Sequence, residues 1–545
     1  RRITCWYYGN NFHFQLIYES SISLRFPSDS KLFFHLNGLK TAAITICTVD
    51  NSIHMVLYMY FCCSYKKTQS MQTSSKFPLQ QSVLFLLLSI FMLSNSFADA
   101  PIYESDSLVV TDILILGTKK TKDHVILREL TFQKGSVISK QKLDTIVRIN
   151  ENHIFNTHLF LEVNIESRIL DQNEVSFIIV VKERWYTIPN VVIELADRSL
   201  NEWWYLYNHD MKRVEYGFLL NQYNCRGRNE TFSAMVKSGF SQQLYASYEV
   251  PYFAKSQKSG LLLVAQYIRN REFALTTLQS NELSYLRKDE FIRQRMRFDV
   301  RYSYRPSISN KHSINFSYNQ DGISDSAAQI NPSYLENGSN KQQYFALQYI
   351  FETNKTNIHY YPTAGYYSKL ELVKNGLSIF NDVNHVNFSG LFSAYKPISK
   401  KLFFATQLST EFSSGRNQSF LLAPNFGYHG IFVRSFEYYL IKGQAYFLNR
   451  NELKYHLLSH VLDLEFITLP KFNRIPIDAY VKLFFDDGYV YDDFHYKSFN
   501  LQNKWLLSAG VGLDIVSYYD MVFRFEYGWN NLKENGFFLH VNKAI

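Results

Sequence analysis

The residues best suited to chemistry lie in one segment, IPIDAYVKLFFDDGYVYDD, at residues 475–493. Its last eight residues include four aspartates, and His495 follows two positions later. Acidic side chains with a histidine can bind calcium or zinc, but this spacing fits neither an EF-hand loop nor a zinc-binding helix. We therefore predict no metal site and no cofactor, and we expect Asp487 and the residues after it to lie in a loop at a strand end.

The same segment alternates in polarity along its length. Its odd-numbered residues from Ile475 to Phe485 are apolar, whereas most of the even-numbered ones are polar or charged. A period of two is typical of a β-strand with one apolar face. Phe484, Asp486 and Gly488 then share the polar face. If that face is enclosed, the carboxylate of Asp486 needs a cation or several hydrogen-bond donors.

Arg434 is the candidate cation for this carboxylate. It lies between aromatic residues in GIFVRSFEYYLIKG (430–443), which is typical of a loop before a strand at Gln444–Tyr455. If the loop folds back, Arg434 can bind Asp486 with two N–H groups and stack on Phe484. The alternative is that these charges are unrelated and solvated.

Composition narrows the classes of function. The 545-residue chain has 45 Phe and 40 Tyr, and its net charge is +9. Lys and Arg form no dense block, so nucleic acid is not a predicted partner. Gly-x-Ser-x-Gly, His-Glu-x-x-His and phosphate-loop motifs are absent from the sequence. We predict no catalytic residues and no enzymatic activity, with a hydrolase built from loop residues as the remaining alternative.

The amino-terminal part of the sequence resembles a leader. At Met71 the chain reads MQTSSKFPLQQSVLFLLLSIFMLSNSFADA, with Lys76 ahead of an apolar core at 83–93. This pattern predicts a secretory signal peptide at 71–98. We expect residues 1–70 to be an over-extended reading frame, and the alternative is a cytosolic extension that leaves the signal internal. Beyond the leader only Cys225 remains, so no disulfide framework is expected.

The rest of the chain divides into two parts. Residues 107–184 predict a small β-α-α-β-β domain. From about Tyr186 onward no convincing helix is found, and strand-like segments such as FIRQRMRFDVRYSY and WLLSAGVGLDI recur. Their apolar faces carry bulky aromatic residues and their other faces carry charge, which favours a membrane barrel over a soluble sandwich. At roughly 20–24 residues per strand and loop, residues 186–545 predict a transmembrane antiparallel barrel of about sixteen strands.

One barrel segment carries a ladder of four arginines, and two interpretations of it remain open. The ladder could select anions or contact a partner. It could also neutralise acidic side chains on neighbouring strands in a wet lumen, which is the commoner case. The arginines are Arg293, Arg295, Arg297 and Arg301.

Several short motifs in order resemble the BamA/TamA outer-membrane assembly superfamily, also called the bacterial surface antigen family. VRSF (433–436), NELKY (451–455) and FFDDG (484–488) resemble that family's lumenal loop and facing strands. Residues 105–184 resemble its POTRA domains, and the resemblance covers essentially 105–545. It implies a lumenal loop lock, with Ser435 in place of the usual glycine. The residues of the lock are Val433, Arg434, Phe436, Phe484, Asp486 and Gly488.

The resemblance also implies a function. It indicates an outer-membrane barrel that assists the assembly, insertion or translocation of proteins, with residues 105–184 in the periplasm. Outer-membrane lipids and unfolded outer-membrane client proteins would be its partners, together with periplasmic or lipoprotein accessory subunits. A single POTRA-like domain favours a specialised relative. The rival is a passive pore or surface receptor, and a relative in an organelle is a weaker variant because the leader is of the Sec type.

Overall fold

The computed structural model describes residues 107–542, apart from gaps at 172, 196–202, 205–207, 381, 415–418, 428–429, 464–473, 494–498 and 518–519, and five earlier strands. The predicted signal peptide at 71–98 lies outside these residues, as does most of 1–70, so both expectations stay predictions. In the described part of the chain, no helix is long and apolar enough to cross a membrane.

The five earlier strands form a sheet of their own. They follow one another across the sheet in chain order, and the pairing of the second with the third is parallel. The strands are β1 (Thr4–Tyr8), β2 (Asn11–Gln15), β3 (Lys31–Leu36), β4 (Leu39–Val49) and β5 (Ser52–Tyr58).

The next part of the chain is a small mixed domain, the POTRA-like domain. Its sheet has the order β7-β6-β9-β8, in which β6 and β9 are parallel. The predicted order of elements is found, with one short strand, β7, that the sequence prediction missed. The elements are β6 (Ser107–Leu116), α1 (Asp123–Leu127), β7 (Val137–Ser139), a 3₁₀ turn (Lys140–Lys142), α2 (Leu143–Phe155), β8 (Phe160–Asp171) and β9 (Glu174–Glu183).

Alternation along β9 builds the core of this domain. Val175, Phe177 and Ile179 are fully buried beneath the helices, and Phe177 stacks on Phe132 with ring centroids 4.3 Å apart. Ile154 at the end of α2 is also fully buried. Burying such side chains contributes roughly 1.5–3 kcal/mol each, so the domain has a hydrophobic core of its own.

Sixteen strands in the described part of the chain form one antiparallel sheet, with neighbours in chain order. This is the barrel. Its strands are β10 (Thr187–Leu195), β11 (Val214–Cys225), β12 (Glu230–Gly239), β13 (Ser241–Val250), β14 (Ser259–Asn270), β17 (Arg293–Tyr304), β18 (Asn310–Ile323), β19 (Lys341–Asn354), β20 (Gly365–Asn375), β21 (His385–Pro397), β22 (Leu402–Ser413), β25 (Ala445–Asp463), β26 (Arg474–Tyr491), β27 (Trp505–Val516), β28 (Val522–Asn530) and β29 (Asn535–Asn542).

The loops between these strands carry smaller elements. Two hairpins are formed by β15 (Glu272–Thr277) with β16 (Leu283–Arg287), and by β23 (Asn425–Phe426) with β24 (Ile441–Lys442). One short helix, α3 (Asp325–Ile330), begins after Ser324, whose hydroxyl accepts from the backbone N–H of Ala327. The expectation of no helix after 186 is therefore wrong for this loop. Further 3₁₀ turns lie at Met211–Arg213 and Glu336–Gly338.

The two faces of β26 show how the barrel is oriented. Val481 and Leu483 are 42% and 56% exposed on the outer surface, whereas Lys482 and Phe484 are 1% and 4% exposed. Because strand side chains alternate, apolar residues face outward and polar ones face the lumen, as in membrane barrels. The predicted alternation is confirmed.

The POTRA-like domain packs against one end of the barrel. It contacts the turns that follow β11, β13, β17, β19 and β27. Arg305 binds Glu129 of the domain with two N–H groups, each at 2.8 Å. The backbone N–H of Lys122 also donates to the carbonyl of Gly227 at 3.0 Å. The turns at this end therefore form a platform for the domain.

Asp520, in the turn after β27, receives two side chains of this domain. Arg184 donates to its two carboxylate oxygens at 3.0 and 3.1 Å, and Nδ1 of His158 lies 2.9 Å away. Burial raises the pKa of Asp520, but the hydrogen bonds and charges of His158 and Arg184 outweigh burial and hold it well below its usual value. The carboxylate therefore favours the docked domain in its charged form.

We expect Asp520→Asn to weaken docking by about 1–3 kcal/mol at neutral pH, because it removes a charged acceptor. Since the pKa is lowered on docking, this contribution is present above about pH 4 and is lost as the pH falls below that value. Calorimetric unfolding of wild type and variant as a function of pH measures the difference. Asp112→Asn, at an exposed pair 3.8 Å from Lys134, is the control. Identical pH profiles for wild type and Asp520→Asn would contradict the prediction.

Candidate functional site

The loop between β22 and β25 folds back into the barrel. Val433 and Phe436 are 0% and 2% exposed and pack in an apolar cluster with Phe426 and Leu448. Arg450 on β25 donates to the backbone carbonyl of Phe432 at 3.1 Å, which fixes the loop against the wall. The loop is therefore anchored inside the lumen by side chains and by its own backbone.

Arg434 is placed between these two apolar anchors and faces β26. Its Nε donates to Oδ2 of Asp486 at 2.7 Å and its Nη2 to Oδ1 at 2.5 Å. Its backbone N–H donates to the same Oδ2 at 3.2 Å. The guanidinium carbon lies 4.1 Å from the centre of the Phe484 ring. The bidentate bond and the ring contact that the sequence predicted occur together here, with Arg434 only 5% exposed.

Gly488 makes room for the loop. A Cβ atom at this position would lie 2.5 Å from Cγ2 of Val433 and 2.8 Å from Cε2 of Phe426. A side chain would therefore push the loop away from the wall. The structure thus brings all six predicted lock residues into one region of the lumen; their functional role stays a prediction.

Arg434 also contacts two carboxylates that the sequence reasoning did not single out. Its Nη1 donates to Glu526 at 3.1 Å and to Glu452. Lys482 lies 2.8 Å from the same Glu526 and 2.9 Å from Asp514. We call these residues, with Lys454 and Arg524 beside them, the lumenal charge cluster. Its members are Arg434, Glu452, Lys454, Lys482, Asp486, Asp514, Arg524 and Glu526.

Two family models match this chain. The model of the Omp85 superfamily domain matches residues 224–540. The chain belongs to the Omp85 superfamily. The POTRA model, described as the surface antigen variable number repeat, matches residues 108–184. The comparison with curated proteins gives no match.

One of the matching solved structures, CdiB, supports this assignment at the level of the fold. CdiB from Escherichia coli is 12% identical with a TM-score of 0.50, and the match covers 80% of this chain and 76% of that one. BamA from Haemophilus ducreyi lacking POTRA domains 1-3 is 17% identical with a TM-score of 0.45, covering 80% and 83%. The predicted fold class, an antiparallel barrel of about sixteen strands after one POTRA-like domain, is confirmed, and the described residues form sixteen strands.

The overlooked residues of the cluster left a weak signal in the sequence. Lys482 shares the even-numbered face of β26 with Asp486, and Asp514 lies directly opposite Arg524 in the strand register. Alternation alone could therefore have placed them in the lumen of this Omp85 barrel. It could not show which strands curve toward one another across the lumen.

β26 runs to Tyr491 and includes Asp487, to which Asn449 donates at 2.7 Å, so the expected loop is wrong for residues 487–491. In the arginine ladder, Arg295 lies 2.9 Å from Asp321 and Arg297 lies 2.8 Å from Asp299. These contacts favour neutralisation of acidic neighbours.

Among the described residues, no group of three or more His, Cys, Asp and Glu is arranged to hold a metal ion.

Ser435 has a backbone φ of +67°, the left-handed conformation that glycine adopts without strain. Its buried hydroxyl has no hydrogen-bond partner within the described chain. We expect Ser435→Gly to raise stability by about 1 kcal/mol, because it removes both costs. The stability is measured by heat-modified gel mobility, as the temperature at which the compact band of the folded barrel is lost. The control Ser419→Gly removes a similar buried hydroxyl, and an equal gain there would show that backbone conformation is not the cause.

Proposed function

We propose that this Omp85 chain lies in the bacterial outer membrane and assists the assembly, insertion or translocation of proteins there. One observation carries the proposal: a POTRA domain is docked across the turns of a sixteen-stranded barrel whose lumen holds an anchored loop. The POTRA end faces the periplasm, and the acyl chains of the membrane contact the apolar outer face. Neither the docked POTRA domain nor the anchored loop requires an enzymatic activity.

The POTRA sheet offers an edge for client segments. In the described residues β8 pairs with β9 on one side only, and it is 12 residues long. An edge strand presents a row of backbone N–H and C=O groups that an unfolded segment can join by strand addition. Such pairing depends little on sequence, which suits a receptor for many unfolded barrel proteins.

The space between this domain and the barrel supports the same proposal. A cavity of about 870 Å³ lies between α2 and the inner wall at the POTRA end. Arg148 and Asn152 line it from α2, and Ser303 and Glu352 line it from the barrel. An unfolded segment that reaches this end of the barrel therefore has open space between the domain and the lumen.

The opposite end of the lumen argues against the rival, a passive pore. Loops from three parts of the chain pack an apolar cluster there, in which Phe273 and Tyr334 meet at 5.0 Å between ring centroids. Leu440 in this cluster is fully buried, and its N–H donates to the carbonyl of Asn281 at 2.8 Å. A lumen filled in this way would conduct ions in small, irregular steps.

The experiment places the full chain in liposomes and adds an unfolded small outer-membrane barrel as client. Protease-protected client is followed over time and compared with empty liposomes. We expect faster protection with the protein. A chain lacking residues 107–184, with its barrel shown to be folded by heat-modified gel mobility, should lose this acceleration. Client protection no faster than in empty liposomes, together with large steady ion conductance, would instead support the pore.

A further inference from the structure

A second segment enters the lumen, from the POTRA end. This is the turn between β19 and β20, residues 355–364. Asn357 closes it: its backbone N–H donates to the carbonyl of Ala364 at 3.0 Å, and its side-chain oxygen accepts from the N–H groups of Thr363 and Ala364 at 3.1 Å. The turn is thus held in one conformation by its own hydrogen bonds.

Tyr361 at the tip of this turn contacts the lumenal charge cluster. Its ring is 4% exposed and packs with Val516 and Val522. Its hydroxyl donates to Oδ2 of Asp514 at 3.0 Å, and Nζ of Lys454 lies 4.6 Å from the ring centre. The turn therefore supplies a donor to a carboxylate of the cluster.

The base of the same turn is held by the POTRA domain. The side-chain amide of Asn156, directly after α2, donates to the carbonyl of Asn357 at 3.0 Å. Its oxygen accepts from the backbone N–H of His359 at 3.1 Å. The ring of Phe155 lies 6.3 Å from that of Tyr360. One asparagine of the domain thus binds both a donor and an acceptor of the turn.

Three residues separate Tyr361 from the Arg434 lock. Asp514 binds Lys482 at 2.9 Å, Lys482 binds Glu526 at 2.8 Å, and Glu526 accepts from Arg434 at 3.1 Å. Buried charges interact strongly because little water screens them. A change in the position of Asp514 therefore alters the electrostatic interactions of each residue in this series, as far as Arg434 in the loop.

We propose that the turn 355–364 couples the position of the POTRA domain to the lumenal lock, with Tyr361 as the positioning residue. Docking of the domain places Asn156, Asn156 places the turn, and Tyr361 holds Asp514 where it orders the cluster around Arg434. A client that moves the domain then loosens the loop. This role rests on the proposed function, whereas the coupling itself is measured without any client.

The test is amide hydrogen exchange of the full chain in detergent micelles, read at residues 430–437. Tyr361→Phe removes one hydroxyl, and we expect exchange there to rise about tenfold, as for a lost hydrogen bond to a charged group. The matched control is Tyr360→Phe, because within the described residues the hydroxyl of Tyr360 has no hydrogen-bond partner. It should leave this exchange at the wild-type rate.

Asn156→Ala, outside the barrel, should raise exchange at 430–437 about threefold through the same contacts. The double variant should then match Tyr361→Phe alone, since both changes act through one turn. The proposal is overturned if Asn156→Ala affects only 355–364, or if the two increases multiply. Should Tyr361→Phe fail to fold, the Asn156→Ala result decides alone. Failure of client assembly in liposomes leaves this exchange result unchanged.

Discussion

Replacement of Arg434 by alanine is expected to destabilise the barrel by about 3–5 kcal/mol, the usual cost of breaking a buried ion pair. The change leaves Asp486, Glu452 and Glu526 close together, with side chains that are 0–2% exposed. Asp486 loses the two-pronged bond of the guanidinium in a buried site. Thermal loss of the compact gel band measures the stability, and client protection in liposomes measures the activity.

Stability and activity should fall together in this variant, because the same guanidinium anchors the loop. The control is Arg297→Ala, which also removes a lumenal arginine. Arg297 is 43% exposed beside Asp299, so water screens this pair more than the Arg434 pair and we expect a smaller loss of stability. Arg434→Lys keeps the charge but loses the two-pronged bond, so an intermediate result is expected. Wild-type gel mobility and client protection in Arg434→Ala would refute the lock.

Replacement of Lys482 by methionine should have an effect of similar size, about 3–5 kcal/mol. The ammonium group lies 2.9 Å from Asp514, 2.8 Å from Glu526 and 3.3 Å from Glu452, and its side chain is fully buried. Methionine has a similar length and carries no charge. The remaining carboxylates then repel one another in a site with little water. The temperature at which the compact gel band of the folded barrel is lost should therefore fall.

A second substitution separates charge from packing. Asp514→Asn in the Lys482→Met background removes one of the stranded carboxylates and should recover part of the lost stability. Lys369→Met is the matched control, since Lys369 pairs with Glu371 at 2.7 Å in the lumen but is 33% exposed. Equal losses in Lys369→Met and Lys482→Met would contradict an effect of buried charge.

Much of the fold could be predicted because it follows from local patterns. The period of two in β26 predicted both the strand and the faces of Phe484 and Phe485. The small domain was predicted from helix and strand periods, although β7 was missed. Its three residues are too short to establish any periodicity.

The site could be predicted only in part, because the cluster depends on curvature. Arg434 and Asp486 were paired through chemistry and family resemblance, and the structure places them in contact. Glu526 and Tyr361 lie far away along the chain, and only the closing sheet brings them to the lock. Asp487 was misplaced because its carboxylate is paired with Asn449 across a strand, a contact without any trace in the local pattern.

The lumenal charge cluster also has a consequence for the order of folding. The partners of Arg434 are distant in sequence: Asp486 lies 52 residues later and Glu526 lies 92 residues later. Glu437 in the same loop contacts His540 of the final strand at 2.9 Å. Contacts so distant in sequence form late, after the entropy of closing long loops has been lost. The loop can therefore reach its native position only after the carboxyl-terminal hairpin has formed. Formation of the cluster then marks the completion of the chain's own barrel.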